Sequence, residues 1–279
     1  MSKQKSVFKI KGRNRISKFR RITKELVSAV SSLKGVMGIM ISGAAVRGFA
    51  DEFSDMDINV ILERRDPELS RKIRDLASVA QIRYQTDVDM EVYSLHHYKR
   101  KRWGETERWD CENSRVVYDP TRAMKRIGRH KMKSTDDFWT RRIVTSAEYL
   151  RWYCNPSQVA KESLAEVWIS RGDLISAHYC LNYSIELLLR ILFALNKKYL
   201  PPPKWRLFDS YGLSWLPKDY TRLVREAMKI GGYSRKEISR RRGTIAKLWK
   251  RIMPRMRDLL GLGEEGISRR YVRDVLKQE

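Results

Sequence analysis

Val36-Met37-Gly38-Ile39-Met40-Ile41, then Ser42-Gly43-Ala44-Ala45, then Ser54-Asp55-Met56-Asp57-Ile58-Asn59-Val60-Ile61-Leu62, is the stretch on which the reading of this chain turns. The first run is apolar and has the length of a buried strand. Ser42 to Ala45 are small residues with a glycine among them, so the chain can turn there and open a short helix whose first backbone amides are free to meet an anion. Met56 to Leu62 alternates polar and apolar residues at its beginning and reads as a second strand.

The flanking sequence supplies the rest of a sheet and its cover. Phe19, Ile22, Leu26, Val30 and Leu33 recur at helical spacing, which predicts an amphipathic helix over 17–33 closed by Gly35. Pro67 opens a helix to about Ala80 with Leu69, Ile73, Leu76 and Ala77 as its buried stripe. Val88 to Leu95 and Arg115 to Tyr118 read as further strands. After Asp119-Pro120 the β alternation stops, and helical patterns cover roughly 135–153, 157–170, 173–199, 218–230 and 234–260, with Pro201-Pro202-Pro203 behind the third. The expected fold class is α+β. Residues 1–120 form helices on a small mixed sheet, with 1–16 as a basic arm, and residues 121–279 form an all-α bundle.

Composition narrows the function. The 279 residues are 42% hydrophobic and 33% charged, with eight Trp and thirteen Tyr, which provides core material and excludes a disordered or fibrous chain. The longest apolar stretch, Ile185 to Leu195, is broken by Glu186 and Arg190, and the N-terminus has no apolar segment of the secretory kind. No membrane association is expected, and the cytoplasm is the expected compartment. Cys111, Cys154 and Cys180 are too few and too scattered for a disulfide framework or a zinc cluster. Fifty-eight Lys and Arg against 33 Asp and Glu leave a net charge of +25. Ten basic residues and no acidic one lie in Met1 to Lys24, and a second block runs from Arg235 to Arg257 with Glu237 as its only carboxylate. Such blocks bind phosphate backbones by releasing counterions.

Asp55 and Asp57, two apart at the start of a strand, project from one face. Paired carboxylates beside a glycine turn suit magnesium, or manganese, which takes a few hard oxygen ligands together with substrate phosphates. At these residues the chain resembles the nucleotidyltransferase superfamily of DNA polymerase beta. Gly43, Gly48, Ser54, Asp55 and Asp57 fall where its small branch has Gly-Ser-x-x-x-Gly-x(5)-Ser-Asp-x-Asp, and Ala44 stands where the family has a second turn Ser or Gly. Val116-Val117-Tyr118-Asp119-Pro120 and the later Tyr199-Leu200-Pro201-Pro202-Pro203-Lys204-Trp205 look like the antibiotic-type branch, with the architecture of kanamycin nucleotidyltransferase.

The resemblance implies magnesium-dependent transfer of a nucleoside monophosphate from a nucleoside triphosphate to an acceptor hydroxyl, releasing pyrophosphate. It places metal on Asp55 and Asp57 and phosphates near Ser42, Gly43, Ala44, Arg47, Gly48 and Ser54. It also implies a third carboxylate on a neighbouring strand, serving as base and metal ligand. Asp87, Asp89 and Glu91 share one face there; Asp89, mid-strand, is preferred as the third metal ligand, with Glu91 second. The net charge favours an RNA acceptor, tRNA being one candidate, over a cationic small molecule. The alternatives are a small hydroxylated acceptor, a protein side chain, and a non-catalytic RNA-binding protein on the same scaffold.

Weaker signals have plainer readings. Arg171 and His178 fit the loose Arg-x(4–6)-His pattern of HEPN ribonucleases, but a histidine on a helix rich in Leu and Tyr reads first as a core residue. His96 and His97, taken as strand neighbours, point to opposite faces. The aromatics of Tyr149-Leu150-Arg151-Trp152-Tyr153 fit core packing better than base stacking.

Overall fold

The structure is a computed structural model that describes residues 11–157 and 162–276. The first ten residues of the expected basic arm lie outside the described residues. Two compact units meet in sequence between Lys133 and Ser134.

The first unit runs α1 (Ile16–Ser31), β1 (Val36–Ile41), α2 (Ala44–Arg47), β2 (Met56–Leu62), α3 (Pro67–Tyr84), β3 (Val88–Ser94), α4 (Leu95–Arg100), α5 (Glu105–Glu112), β4 (Arg115–Tyr118) and α6 (Ala123–Lys131). The strands form one sheet in the order β3-β2-β1-β4. β1 is antiparallel to both β2 and β4, whereas β2 and β3 run parallel, so the sheet is mixed. Strand alternation divides the side chains between two layers. Ile39 and Ile41 of β1, with Met56, Ile58, Val60 and Leu62 of β2, pack on Phe19, Ile22, Leu26 and Val30 of α1 and on Ile73, Ala77 and Ala80 of α3. Met40 and Ile61 face the other way and join Tyr98, Trp103 and Met124 in a second, smaller cluster. Burying a large aliphatic side chain stabilises by roughly 2 kcal/mol, so the α1 and α3 stripes hold the sheet from one side.

The second layer explains why this unit extends beyond Pro120. A Cβ on Gly38 would lie 2.1 Å from Met124 Sδ, so a glycine in β1 is what lets α6 seat its methionine on the sheet. The boundary in the structure therefore falls one helix later than the sequence suggested. Caps agree with local chemistry: the Asp66 carboxylate accepts from Leu69 N at 2.9 Å, with Pro67 in the first turn of α3.

The second unit is helical: α7 (Asp136–Cys154), α8 (Leu164–Ser170), α9 (Leu174–Leu195), α10 (Pro203–Ser210), α11 (Tyr220–Met228), α12 (Arg235–Leu260) and α13 (Glu264–Asp274). α9 is buried along most of its length and forms the bundle's centre. The predicted helix over 173–199 stops at Leu195, because Asn196 turns its amide back onto Leu192 O and Lys197 takes a positive φ of 50°. Among the described residues no helix is long and apolar enough to cross a membrane.

Candidate active site

Gly43 sets the geometry. It sits at φ 64°, ψ −144°, a backbone conformation that residues with a side chain rarely take, and a Cβ there would lie 2.0 Å from Asp57 Oδ2. The Asp57 carboxylate thus rests directly on the bare Cα of the turn. Ser42 N donates to Asp57 O at 3.0 Å and locks the end of β1 to the start of β2. Ala44 is buried in the α1 and α3 layer, so its methyl serves packing. Gly48, at φ 86°, ends α2 and returns the chain toward β2.

The loop between Gly48 and β2 is tied by side chains. Asn14 Nδ2 donates to Gly48 O at 3.2 Å, and Asn14 Oδ1 accepts from Ala50 N at 3.1 Å and Ile16 N at 3.1 Å. Ser54 Oγ donates to Asp51 Oδ1 at 2.9 Å and accepts from Asp51 N at 3.0 Å, so this hydroxyl fixes the turn that delivers Asp55. Sequence reasoning missed Asn14, which it assigned to the arm. The available signal was an asparagine two residues ahead of an amphipathic helix, a usual place for a side chain that caps local backbone.

The strand register places the carboxylates relative to one another. β2 and β3 pair Asp57 with Asp89 and Asn59 with Glu91. Side chains of paired residues on parallel strands share a face and stand about 5 Å apart at the backbone. Asp57, Asp89 and Glu91 all project on the side of the second cluster. Asp89 is exposed and stands beside Asp57, while Glu91 accepts a short hydrogen bond from the Tyr93 hydroxyl. Burial, then that bond, pushes the Tyr93 hydroxyl well above the usual phenol range, so it remains a donor. Asp87 turns away to accept from Gln81 Nε2 of α3 at 3.3 Å. Asp55 is exposed just ahead of β2.

Among the described residues no group of three or more His, Cys, Asp or Glu side chains is placed to hold a metal ion. What the chain offers is an adjacent pair, Asp57 and Asp89, with Asp55 close in sequence. That donor set fits magnesium, which binds through one or two carboxylates, waters and substrate phosphates in preference to an all-protein cage. Arg47 lies with its guanidinium 6.0 Å from the centre of the Trp109 ring, on α5.

The other sequence candidates separate cleanly. His96 and His97 lie on α4, a correction to their strand placement: Ser94 Oγ accepts from His97 N at 3.2 Å and starts a helix there, and His97 stacks on Tyr93. His178 is 2% exposed and its Nδ1 meets Arg241 at 2.8 Å, while Arg171 stacks over Trp168. The structure thus gives Arg171 and His178 separate partners. Tyr153 packs on Tyr183 and Tyr149 on Tyr271, whereas Trp152 is exposed.

Part of the late basic block is engaged inside its own unit. Arg240 pairs with Glu237 at 2.6 Å, Arg242 with Glu166 at 2.5 Å, and Arg251 with Asp219 at 2.7 Å. Arg241 is fully buried on neutral acceptors, Ala227 O, Asn182 Oδ1 and the imidazole of His178.

No protein-family profile matches the chain, and no curated protein matches it in sequence. Among solved structures it is similar to a nucleotidyltransferase-like protein from Exiguobacterium sibiricum, at 11% identity over 86% of this chain and 77% of that one, with a TM-score of 0.41. It is also similar to a mutant of the toxin–antitoxin MntA-HpeT, at 14% identity over 40% of this chain and 82% of that one, with a TM-score of 0.29. A third likeness is to a tri-AMPylated Shewanella oneidensis HEPN toxin in complex with MNT antitoxin, at 14% identity over 42% and 82% of the two chains, TM-score 0.27.

Proposed function

We propose that this chain is a magnesium-dependent nucleotidyltransferase that moves a nucleoside monophosphate from a nucleoside triphosphate onto an acceptor hydroxyl, with RNA as the acceptor. The observation that carries the reading is the β2–β3 register that sets Asp57 beside Asp89, with the Asp57 carboxylate lodged against Gly43. Asp57 and Asp89, adjacent in the sheet, would hold the cation, with Asp55 as the further candidate ligand. Asp89 also accepts the proton of the acceptor hydroxyl. The acceptor oxygen attacks the α-phosphorus, the bond from that phosphorus to the bridging oxygen breaks, and pyrophosphate leaves with the electron pair. Magnesium, when bound, neutralises the charge that builds on the attacking and leaving oxygens. The turn contributes the Gly43 and Ala44 backbone amides to the phosphates, Ser42 its hydroxyl, and Arg47, braced by Trp109, a positive charge. Glu91 is tied to Tyr93 and supports β3 beside the reacting groups. The net charge of +25 favours RNA over a cationic small molecule.

The test is transfer of α-labelled phosphate from each of the four nucleoside triphosphates, with magnesium, into total RNA, a small-molecule pool and a protein pool. Label in RNA that disappears in Asp55→Asn/Asp57→Asn supports the reading. Label confined to the other pools refutes the RNA acceptor, and no magnesium-dependent label in any pool refutes the enzyme.

A further inference from the structure

A second concentration of charge in the first unit lies on its short helices. α4, the segment after it, α5 and α6 enclose a cleft of about 810 Å³ whose lining includes eight Lys and Arg side chains and His130, with no carboxylate among them. Lys99, Arg100 and Arg102 come from α4 and its exit, and Arg126, Lys131 and Lys133 from α6 and its end. Its apolar floor is Leu95, Trp103, Ala123 and Ile127, which belongs to the layer on the Asp57 and Asp89 side of the sheet.

We propose that this cleft is the docking site for the phosphate backbone of an RNA strand. The inference deepens the reading above and rests on it for RNA as the acceptor. Like charges at this density repel, and burial weakens the water that would screen them. Lys131 illustrates the cost: its ammonium donates to Lys101 O at 2.5 Å and lies 5.3 Å from the centre of the Trp103 ring. Burial first, and Arg108 second, lower its pKa below the usual lysine value. Lys101 does reach a carboxylate, Glu107, at 3.6 Å. In α12, Arg240, Arg242 and Arg251 pair with Glu237, Glu166 and Asp219 of the protein itself. A single triphosphate cannot span cations spread over three helices. Successive phosphodiesters, one charge at a time along an extended strand, match that spread.

The experiment measures binding of a fluorescein-labelled single-stranded RNA of mixed sequence, about 16 nucleotides long, to the full chain by anisotropy across a potassium chloride series. Lys99→Gln/Arg100→Gln/Arg102→Gln is expected to weaken binding at least tenfold at moderate salt. It should also flatten the slope of log K against log salt by about 2, near 0.7 for each phosphate deprived of its cation. Lys99→Arg/Arg100→Lys/Arg102→Lys, which keeps the charge, restores the slope. Lys247→Gln/Lys250→Gln/Arg257→Gln on α12 shifts affinity less than threefold. Equal weakening in the cleft and α12 variants, or weakening confined to α12, overturns the proposal, as does failure of the charge-keeping variant to restore the slope. Phosphatidylserine vesicles that bind the same residues more tightly than RNA overturn RNA as occupant. Magnesium-ATP binding is read on the same wild-type preparation. A chain that binds magnesium-ATP but no RNA loses the cleft proposal and keeps the nucleotide site; one that binds RNA through the cleft but no magnesium-ATP does the reverse.

Discussion

Replacing Gly43 with alanine tests the coupling between backbone and carboxylate at the proposed site. The new Cβ would stand 2.0 Å from Asp57 Oδ2, and side chains essentially never approach closer than 3.0 Å, so the carboxylate must withdraw by about 1 Å. The φ of 64° with ψ of −144° adds backbone strain of about 1–3 kcal/mol. A 1 Å displacement of a reacting group can lower a rate about 100-fold. Gly261→Ala is the matched control, since Gly261 has a φ of 65° at the end of α12 and nothing within 4 Å of a new Cβ. It should cost about 1 kcal/mol of stability and leave transfer unchanged. Urea unfolding followed by circular dichroism gives the stabilities, and single-turnover transfer of α-labelled phosphate gives the rates. If folded Gly43→Ala transfers within threefold of the wild type, the reasoning that the glycine positions Asp57 is refuted.

Three further outcomes follow from the helical unit. Arg241→Ala leaves His178 and Asn182 without their buried donor, so it should destabilise by about 2–4 kcal/mol in urea unfolding; a loss below about 1 kcal/mol would show that the buried arginine is not a structural tie. Burial, and then the Arg241 guanidinium, hold the His178 imidazole below its ordinary pKa of 6.5, against the opposing pull of the Gly232 backbone and Glu237. The unfolded chain therefore binds the proton more tightly, and stability is whole above about pH 6.5 and falls as the pH drops below it. The urea midpoint should fall between pH 7.5 and 5.5, and by less in His178→Gln; an equal fall in both assigns the pH dependence to other groups. Burial pushes the Cys154 thiol up to about 12, so a thiol reagent at pH 8 should modify Cys154 in the unfolded chain and leave it untouched in the native one.

Much of the first unit is legible because its signals are periodic. Phe19, Ile22, Leu26 and Val30 sit where a helix must bury them, β1 is an apolar run of strand length, and β2 and β3 alternate at their starts. Asp55 and Asp57 stand out in the sequence only together with the glycine turn and the strands that flank it. The choice among Asp87, Asp89 and Glu91 is not legible there, because all three obey the same alternation; strand register and the hydrogen bonds to Gln81 and Tyr93 set them apart. α4, α5 and α6 leave little trace in the sequence because they are short and highly charged, with few apolar positions each, as in Glu105–Glu112, where Trp109 alone is buried. These are the helices that build the basic cleft. The block at Arg235 to Arg257 misleads for the opposite reason. Its charge is conspicuous in sequence, while its partners Glu166 and Asp219 lie far away along the chain and meet it only in the folded bundle.

The measurement that tests the central claim most directly is single-turnover transfer of α-labelled phosphate by the wild type, Asp57→Asn and Asp89→Asn, each confirmed as folded. Paired carboxylates that hold the metal and take the acceptor proton predict at least a 100-fold loss in either variant, with the wild-type rate abolished by removing magnesium. Transfer by both variants within threefold of the wild type would contradict the account, since the Asp57–Asp89 register would then have no part in the chemistry.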